Sequence, residues 1–157
     1  GRQSNPLPRA WIRGTWDFSF SGLKTAVLHR ARAEGIYPAP EGGADREAVA
    51  ALARSFQDAV ADVIATKTAL AAEEFGVRGI VIGGGVAANA ALREALNDRS
   101  SVPVISPPPV LCTDNGAMIA AAAFHYLKRG DRSGLDLDVT PGLTIDEAPS
   151  APTPTPV

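Results

Sequence analysis

The stretch RGIVIGGGVAANAALRE, residues 78–94, decides the fold class of this sequence. Its apolar run at residues 80–82 is typical of a short strand that is buried on both faces. Three glycines follow at 83–85 and permit a tight turn. Apolar spacing then predicts a helix from about residue 87 to 97. The stretch therefore predicts a strand, a glycine turn and a helix in direct succession.

The rest of the chain alternates strand and helix patterns in the same way. DFSFSG at 17–22 alternates polar and aromatic residues like a half-buried strand, and VPVIS at 102–106 predicts another strand before three prolines. Three more helices are predicted: one in residues 23–35 that stops near Gly35, one from an Asp45 N-cap to Gly76, and one from a Thr113 or Asp114 cap to Gly130. This alternation indicates a layered α/β fold with a parallel sheet.

Composition limits the function classes. The 157 residues, 45% of them hydrophobic, suffice for one ordinary domain. A formal charge of −2 gives no basic surface with which this chain alone would hold nucleic acid. The single cysteine excludes an internal disulfide, and the uncharged stretch 79–92 is too short and glycine-rich to span a bilayer. We expect a soluble, cytoplasmic chain with no membrane contact.

The glycine run is the first candidate site, because ligands bind beyond the carboxyl ends of parallel strands. Gly83, Gly85 and Ala88 match the G-x-G-x-x-G/A dinucleotide pattern. That pattern also requires an acidic residue about twenty positions further on to bind the ribose, where this chain has only Val104 to Ser106. The run is therefore either a simple tight turn or a turn that lets another ligand approach the backbone.

VLCTDNGAMIAAAA, residues 110–123, holds the second candidate site. Asp114 is either a helix cap or a hard oxygen ligand for a metal ion. The two histidines, His29 and His125, lie far from it in the sequence and complete no recognisable ligand set. Cys112 is either a nucleophile or, more commonly for a lone cysteine, a small buried hydrophobe.

Three motifs in this order resemble a known family: DFSFSGLKTAV (17–27), GGGVAANAALRE (83–94) and CTDNGAMIAAAA (112–123). Over residues 10–145 the chain resembles the C-terminal part of the TsaD family of tRNA threonylcarbamoyladenosine-biosynthesis proteins. The resemblance implies that residues 17–145 form the second lobe of an actin-like (ASKHA superfamily) fold, with a mixed, mostly parallel sheet and flanking helices. Residues 1–16 would be an extended segment continuing from a missing upstream lobe, and residues 146–157 a proline-rich disordered tail.

The resemblance also implies an acyltransferase, which transfers threonylcarbamoyl from its adenylate to the adenosine next to the tRNA anticodon. Gly84, Gly85 and Asn89 would bind the adenine nucleotide. Asp114 would be a ligand of one divalent metal, iron or zinc, that it shares with two histidines of an H-x-x-x-H helix in the missing lobe. No H-x-x-x-H occurs in this sequence, so we expect the isolated chain to be inactive.

The implied partners are tRNA, bound through the complete protein, and TsaB-like and other threonylcarbamoyladenosine-synthesis proteins. Self-association is a further expectation, because a lobe without its neighbour exposes apolar surface. Two alternatives stay open on the sequence. Instead of a transferase lobe, the chain would be a small-molecule kinase lobe of the actin-like superfamily, where strand-glycine-helix motifs recur, or a lobe that serves only docking or dimerisation.

Overall fold

A computed structural model of the chain describes residues 6–139, 141, 142 and 144. These residues form a mixed α/β structure with a small parallel sheet and flanking helices, which confirms the predicted fold class at this coarse level. The elements in chain order are α1 (Ser21–Ala33), α2 (Arg46–Glu74), β1 (Ile80–Val81), α3 (Ala90–Arg99), β2 (Val104–Ile105) and α4 (Gly116–Lys128). Short 3-10 helices cover Gly85–Ala88 and Pro109–Leu111. Two compact units meet in sequence between Thr113 and Asp114.

Helix α2 organises the first unit. Asp45 caps it as predicted, with its side chain accepting a hydrogen bond from the Glu47 N–H at 3.1 Å. The helix ends before Gly76, whose φ of +58° is the left-handed conformation typical of a helix end. The buried residues of α2 are largely alanine, so neighbouring helices pack close to it. Its first half lies in a core cluster with Leu23 of α1, and its second half in a cluster with Leu92 of α3.

The sheet has two described strands with one covered face. β1 and β2 pair in parallel, with Ile80 opposite Val104 and Val81 opposite Ile105. Ile80 is buried, whereas Val81 is 77% exposed and Ile105 60% exposed. The prediction of a strand buried on both faces is therefore wrong for the described residues. The helices of this unit cover one face only, and a short apolar run cannot indicate how many faces are covered.

The predicted strand at residues 17–22 is also wrong. Only an isolated antiparallel bridge between Trp11 and Phe18 forms there, and α1 already begins at Ser21. The carbonyl oxygen of Asp17 accepts a hydrogen bond from the buried Lys67 ammonium instead of from a neighbouring strand. The two alternating aromatic residues of this stretch do contact each other: the rings of Phe18 and Phe20 stack with centroids 5.9 Å apart.

The second unit contains α4. Asn115 is its N-cap, and neither Thr113 nor Asp114 takes the role that the sequence predicted for one of them. The helix ends before Gly130, where φ is +90°, as predicted. The predicted tail at 146–157 lies outside the described residues. No helix in the described part of the chain is long and apolar enough to cross a membrane.

Candidate functional site

The glycine turn leaves the carboxyl end of β1 and is open to solvent. Gly83, Gly84 and Gly85 are all exposed, and a Cβ atom added to any of them would meet no other atom within 4 Å. Gly84 has φ +80°, a conformation in which other residues are strained, so the turn itself requires glycine at this position. The 3-10 helix that begins at Gly85 then leads into α3. A ligand therefore has free access to this stretch of backbone.

Asn89 caps α3, a structural role that the sequence did not reveal. Its Oδ1 accepts a hydrogen bond from the Leu92 N–H at 3.2 Å. Its Nδ2 donates a long hydrogen bond of 3.4 Å to Oε1 of Gln57 on α2. The side-chain oxygen is thus engaged by the helix, and the side-chain N–H groups are the part of Asn89 that a ligand could use.

Arg93 ties the glycine turn to the loop before Cys112. Its Nε donates to the carbonyl oxygen of Ala87, while Nη2 lies 2.7 Å from the carbonyl oxygen of Pro107 and 3.1 Å from Sγ of Cys112. The Cys112 side chain is buried, which favours the small-hydrophobe interpretation over the nucleophile. Sequence reasoning missed Arg93; the available signal was an arginine one turn beyond the Asn89 cap.

Asp114 opens the second unit with an exposed side chain. The cap interpretation of Asp114 is wrong, because Oδ1 of Asn115 accepts the hydrogen bond from the Met118 N–H at 3.0 Å. Within the described ranges, no side chain or backbone group donates a hydrogen bond to the Asp114 carboxylate. The position of Asp114 relative to the glycine turn stays a prediction.

A metal ion needs more ligands than the described residues provide. Among them, no three histidine, cysteine, aspartate or glutamate side chains converge on a point where a metal could bind. Asp114 can contribute one carboxylate oxygen, a donor that suits a divalent cation. The remaining ligands of any metal bound here must therefore come from elsewhere.

Lys67 is a second residue that sequence reasoning missed. Its side chain is buried in the middle of α2, and only 3% of the residue is exposed. The ammonium donates hydrogen bonds to three backbone carbonyl oxygens, those of Ile12 at 3.0 Å, Thr15 at 2.9 Å and Asp17. It also lies 5.4 Å from the ring centre of Trp11 and 5.1 Å from that of Phe18. The signal was a lysine within the apolar stripe of a long helix.

A parallel strand, an open glycine turn and a capped helix together define an α/β protein with an exposed backbone turn at the end of a strand, the place where ligands bind in such folds. A family model described as TsaD, tRNA N6-adenosine threonylcarbamoyltransferase, matches residues 1–121. The chain belongs to the TsaD family, which confirms the resemblance predicted from its three motifs.

Curated relatives carry the same description. The tRNA N6-adenosine threonylcarbamoyltransferase of Thermomicrobium roseum is 53% identical over 153 residues, which cover 88% of this chain and 42% of the relative. That of Dehalococcoides mccartyi is 45% identical, covering 88% of this chain and 40% of the relative. That of Bacillus subtilis is 44% identical, covering 92% and 42%. The chain thus spans about two fifths of the length of the curated relatives it matches.

Proposed function

We propose that this chain is part of a cytoplasmic tRNA N6-adenosine threonylcarbamoyltransferase and forms much of the second lobe of its actin-like fold. In the proposed reaction, N6 of the tRNA adenosine forms a bond to the carbamoyl carbon of threonylcarbamoyl-adenylate. The bond from that carbon to the phosphate oxygen breaks, AMP leaves, and N6 loses one proton. The observation that carries the proposal is the family match over residues 1–121. It favours the transferase over the small-molecule kinase that the glycine motif alone left open.

The glycine turn is the proposed nucleotide-binding element. Gly84 and Gly85 would let the nucleotide approach the backbone, and Asn89 would donate a hydrogen bond through Nδ2. The openness of the turn supports this role, since side chains there would fill the space a ligand needs. The amino end of α3 adds a favourable field for an anionic group.

Asp114 is the proposed metal ligand. The carboxylate is exposed and takes no part in capping α4, which leaves its oxygens available for a cation. Two histidines of an H-x-x-x-H helix in the longer protein would complete the set around iron or zinc. When bound, such a metal would act as a Lewis acid that polarises the carbamoyl carbonyl, or it would orient the phosphate.

The tRNA would be held mainly by other parts of the complete protein and by TsaB-like partners. A formal charge of −2 over the chain provides no excess of cations for phosphate contacts. This chain would instead present the nucleotide and one metal ligand to a tRNA that is positioned elsewhere.

A chimera tests the proposed activity. This chain replaces the matching C-terminal part of the Thermomicrobium roseum relative, and threonylcarbamoyladenosine in digested tRNA is measured by mass spectrometry. We expect the chimera to modify tRNA and the isolated chain not to. Modification by the isolated chain would refute the division of the site between two lobes. An inactive chimera that folds and binds metal would count against the transferase itself.

Two aspartates of the second unit separate the metal role from a general charge effect. We expect Asp114→Asn in the chimera to abolish transfer and to lower the bound metal per protein. Asp136→Asn, which removes a carboxylate elsewhere in the same unit, should leave both unchanged. Full metal content in the Asp114→Asn chimera would exclude Asp114 as a ligand.

The cap and ligand roles of Asn89 can be separated in the same way. Asn89→Asp keeps an acceptor for the Leu92 N–H but removes the side-chain donor, whereas Asn89→Ala removes both. We expect both variants to weaken AMP binding by this chain. Asp45→Ala is the matched control, since it removes an equivalent cap from α2 and should leave AMP binding intact. Normal AMP affinity in Asn89→Asp would show that the donor makes no ligand contact.

A further inference from the structure

A pocket of about 310 Å³ lies against α2 in the first unit. Trp11 and Trp16 line it together with Lys67 and Leu70 of α2, and we call it the tryptophan pocket. We propose that it binds the proline-rich segment of this chain, residues 146–157, in the polyproline II conformation. The tryptophan pocket contains none of the residues of the proposed transferase site.

The tryptophan pocket presents large apolar side chains to solvent. Trp11 is 41% exposed, and Trp16 and Leu70 are each 44% exposed. Apolar surface gathered in a concave, solvent-facing site is typical of a binding site. The pocket volume is at the lower end of the range for ligand sites, about 300–1,000 Å³, which suits one or two small rings such as those of proline.

The two tryptophans also offer hydrogen-bond donors to an occupant. Within the described residues, neither Trp11 nor Trp16 donates its indole N–H to another protein group. A polyproline II segment forms no internal hydrogen bonds, so its carbonyl oxygens are free to accept them. An α-helix pairs most of its carbonyl groups internally and lacks such acceptors. Aromatic-lined grooves are a recurring recognition site for proline-rich segments, and this pocket has the same chemistry.

The wall of the tryptophan pocket is held in place before any ligand binds. The Lys67 ammonium donates a hydrogen bond of 2.9 Å to the carbonyl oxygen of Thr15 and lies 5.4 Å from the ring centre of Trp11. The ring of Trp16 packs against that of Phe75, with centroids 5.7 Å apart. A preformed pocket and a preformed polyproline II ligand both lose little conformational entropy on binding, which favours affinity.

The sequence of residues 146–157 has the pattern that such a pocket recognises. It reads DEAPSAPTPTPV. Because polyproline II repeats every three residues, Pro149 and Pro152 of this P-x-x-P pattern would lie on one face of the segment. Two prolines on one face can contact two indole rings. Pro154 and Pro156 do not continue the three-residue spacing.

Charge complementarity supports the same occupant. Arg13 lies in the segment that carries both tryptophans, is exposed, and has no hydrogen-bond or ion-pair partner among the described residues. Asp146 and Glu147 shortly precede Pro149. At a rise of about 3.1 Å per residue, these two residues would stand about 6–9 Å from Pro149, within reach of an arginine side chain. Arg13 can therefore pair with them when Pro149 occupies the pocket.

Proline substitutions in the full chain test the proposed contact. Pro149→Ser combined with Pro152→Ser removes the two-proline face, and Pro154→Ser combined with Pro156→Ser removes as many prolines elsewhere in the segment. Tryptophan fluorescence reports the pocket, because both tryptophans of the sequence line it. We expect red-shifted emission and stronger acrylamide quenching in the first double variant and no change in the second, which is the matched control. Equal emission and quenching in the unmodified chain and the first double variant would refute the contact.

A titration tests recognition from the side of the pocket. A peptide of residues 146–157 is added to the chain that carries Pro149→Ser and Pro152→Ser. We expect the peptide to reverse the red shift and to move both indole N–H signals in the NMR spectrum. A peptide with the same two serines should do neither. Unchanged indole signals with the unmodified peptide would overturn the proposal.

The charged contact has its own variant. Arg13→Glu should weaken peptide binding about two- to tenfold, with a smaller effect in high salt, because attraction to Asp146 and Glu147 becomes repulsion. Arg54→Glu is the matched control, since Arg54 is exposed on α2 and has no ion pair in the described part of the chain. Equal peptide affinities in these two variants would refute the pairing of Arg13 with the segment.

Discussion

Replacing Lys67 by methionine removes the donor for three backbone carbonyl oxygens and keeps a side chain of similar length. The lysine ammonium lies between α2 and the segment of residues 11–18, which has no helix and only one isolated bridge. We therefore expect Lys67→Met to release this segment and to leave the packing of α2 largely intact.

The size of the effect follows from the environment of the three carbonyl groups. A hydrogen bond to a charged group contributes about 1.5–3 kcal/mol to the free energy of unfolding. Thr15 and Asp17 are exposed residues, so water can replace the ammonium at their carbonyl groups. Ile12 is partly buried, so the loss of the hydrogen bond to its carbonyl oxygen costs more free energy. Removal of a buried charge also relieves its desolvation. We therefore expect a loss of about 2–4 kcal/mol, well below the sum of three such bonds.

The two tryptophans of the sequence provide a specific assay. Both Trp11 and Trp16 lie in the segment that Lys67 holds, so tryptophan fluorescence reports this segment alone. Circular dichroism reports the helices. In Lys67→Met we expect stronger acrylamide quenching without urea, and a lower urea midpoint for loss of helix.

Lys24→Met is the matched control, because Lys24 is exposed and forms no ion pair or hydrogen bond through its ammonium among the described residues. Its free energy of unfolding should change by less than about 0.5 kcal/mol. If Lys67→Met changes stability as little as this control and leaves quenching unaltered, the ammonium does not anchor the segment.

Three further predictions concern single contacts. Arg93→Leu should speed the reaction of Cys112 with a thiol reagent in the folded chain, because the Cys112 loop loses the guanidinium that ties it to α3; an unchanged rate would contradict this. Asp62→Asn should cost less than about 1 kcal/mol by urea unfolding, with a smaller effect in high salt, since both arginine pairs of Asp62 are solvent-exposed. Asn115→Ala should reduce helix content measured by circular dichroism and destabilise α4 by about 1 kcal/mol, whereas Asp114→Ala should not.

The sequence predicts the helices better than the strands, for a physical reason. Helix α2 has local signals at both ends, an Asp45 cap and a Gly76 stop, and both are confirmed. A strand depends on partners that lie far away in the sequence. Residues 17–22 alternate correctly, yet the donor that meets the Asp17 carbonyl is the side chain of Lys67, which alternation cannot reveal.

The candidate site, like the fold, could be predicted from the sequence only in part. The motif spacing identifies the glycine turn, and the structure confirms a tight, open turn directly after β1. The cap of α3 at Asn89 and the ties from Arg93 were not predictable, because each depends on which polar group faces the helix end once the chain has folded. Ahead of α4 the difficulty is different, because Thr113, Asp114 and Asn115 are adjacent and all of cap-forming types, which leaves several choices equally good.

The Asp114–Asn115 pair illustrates why that ambiguity matters for function. Either residue type caps a helix well, so the sequence alone also allows the Asp114 carboxylate to serve as the N-cap of the helix. The structure gives the cap to Asn115 and leaves Asp114 one residue outside it. The neutral amide of Asn115 then accepts the hydrogen bond at the helix end, and the Asp114 carboxylate keeps both oxygens available for a cation. The two helix variants proposed above test this division directly. A loss of helix stability in Asp114→Ala would show that the Asp114 carboxylate does cap α4, and it would remove the support for Asp114 as a metal ligand.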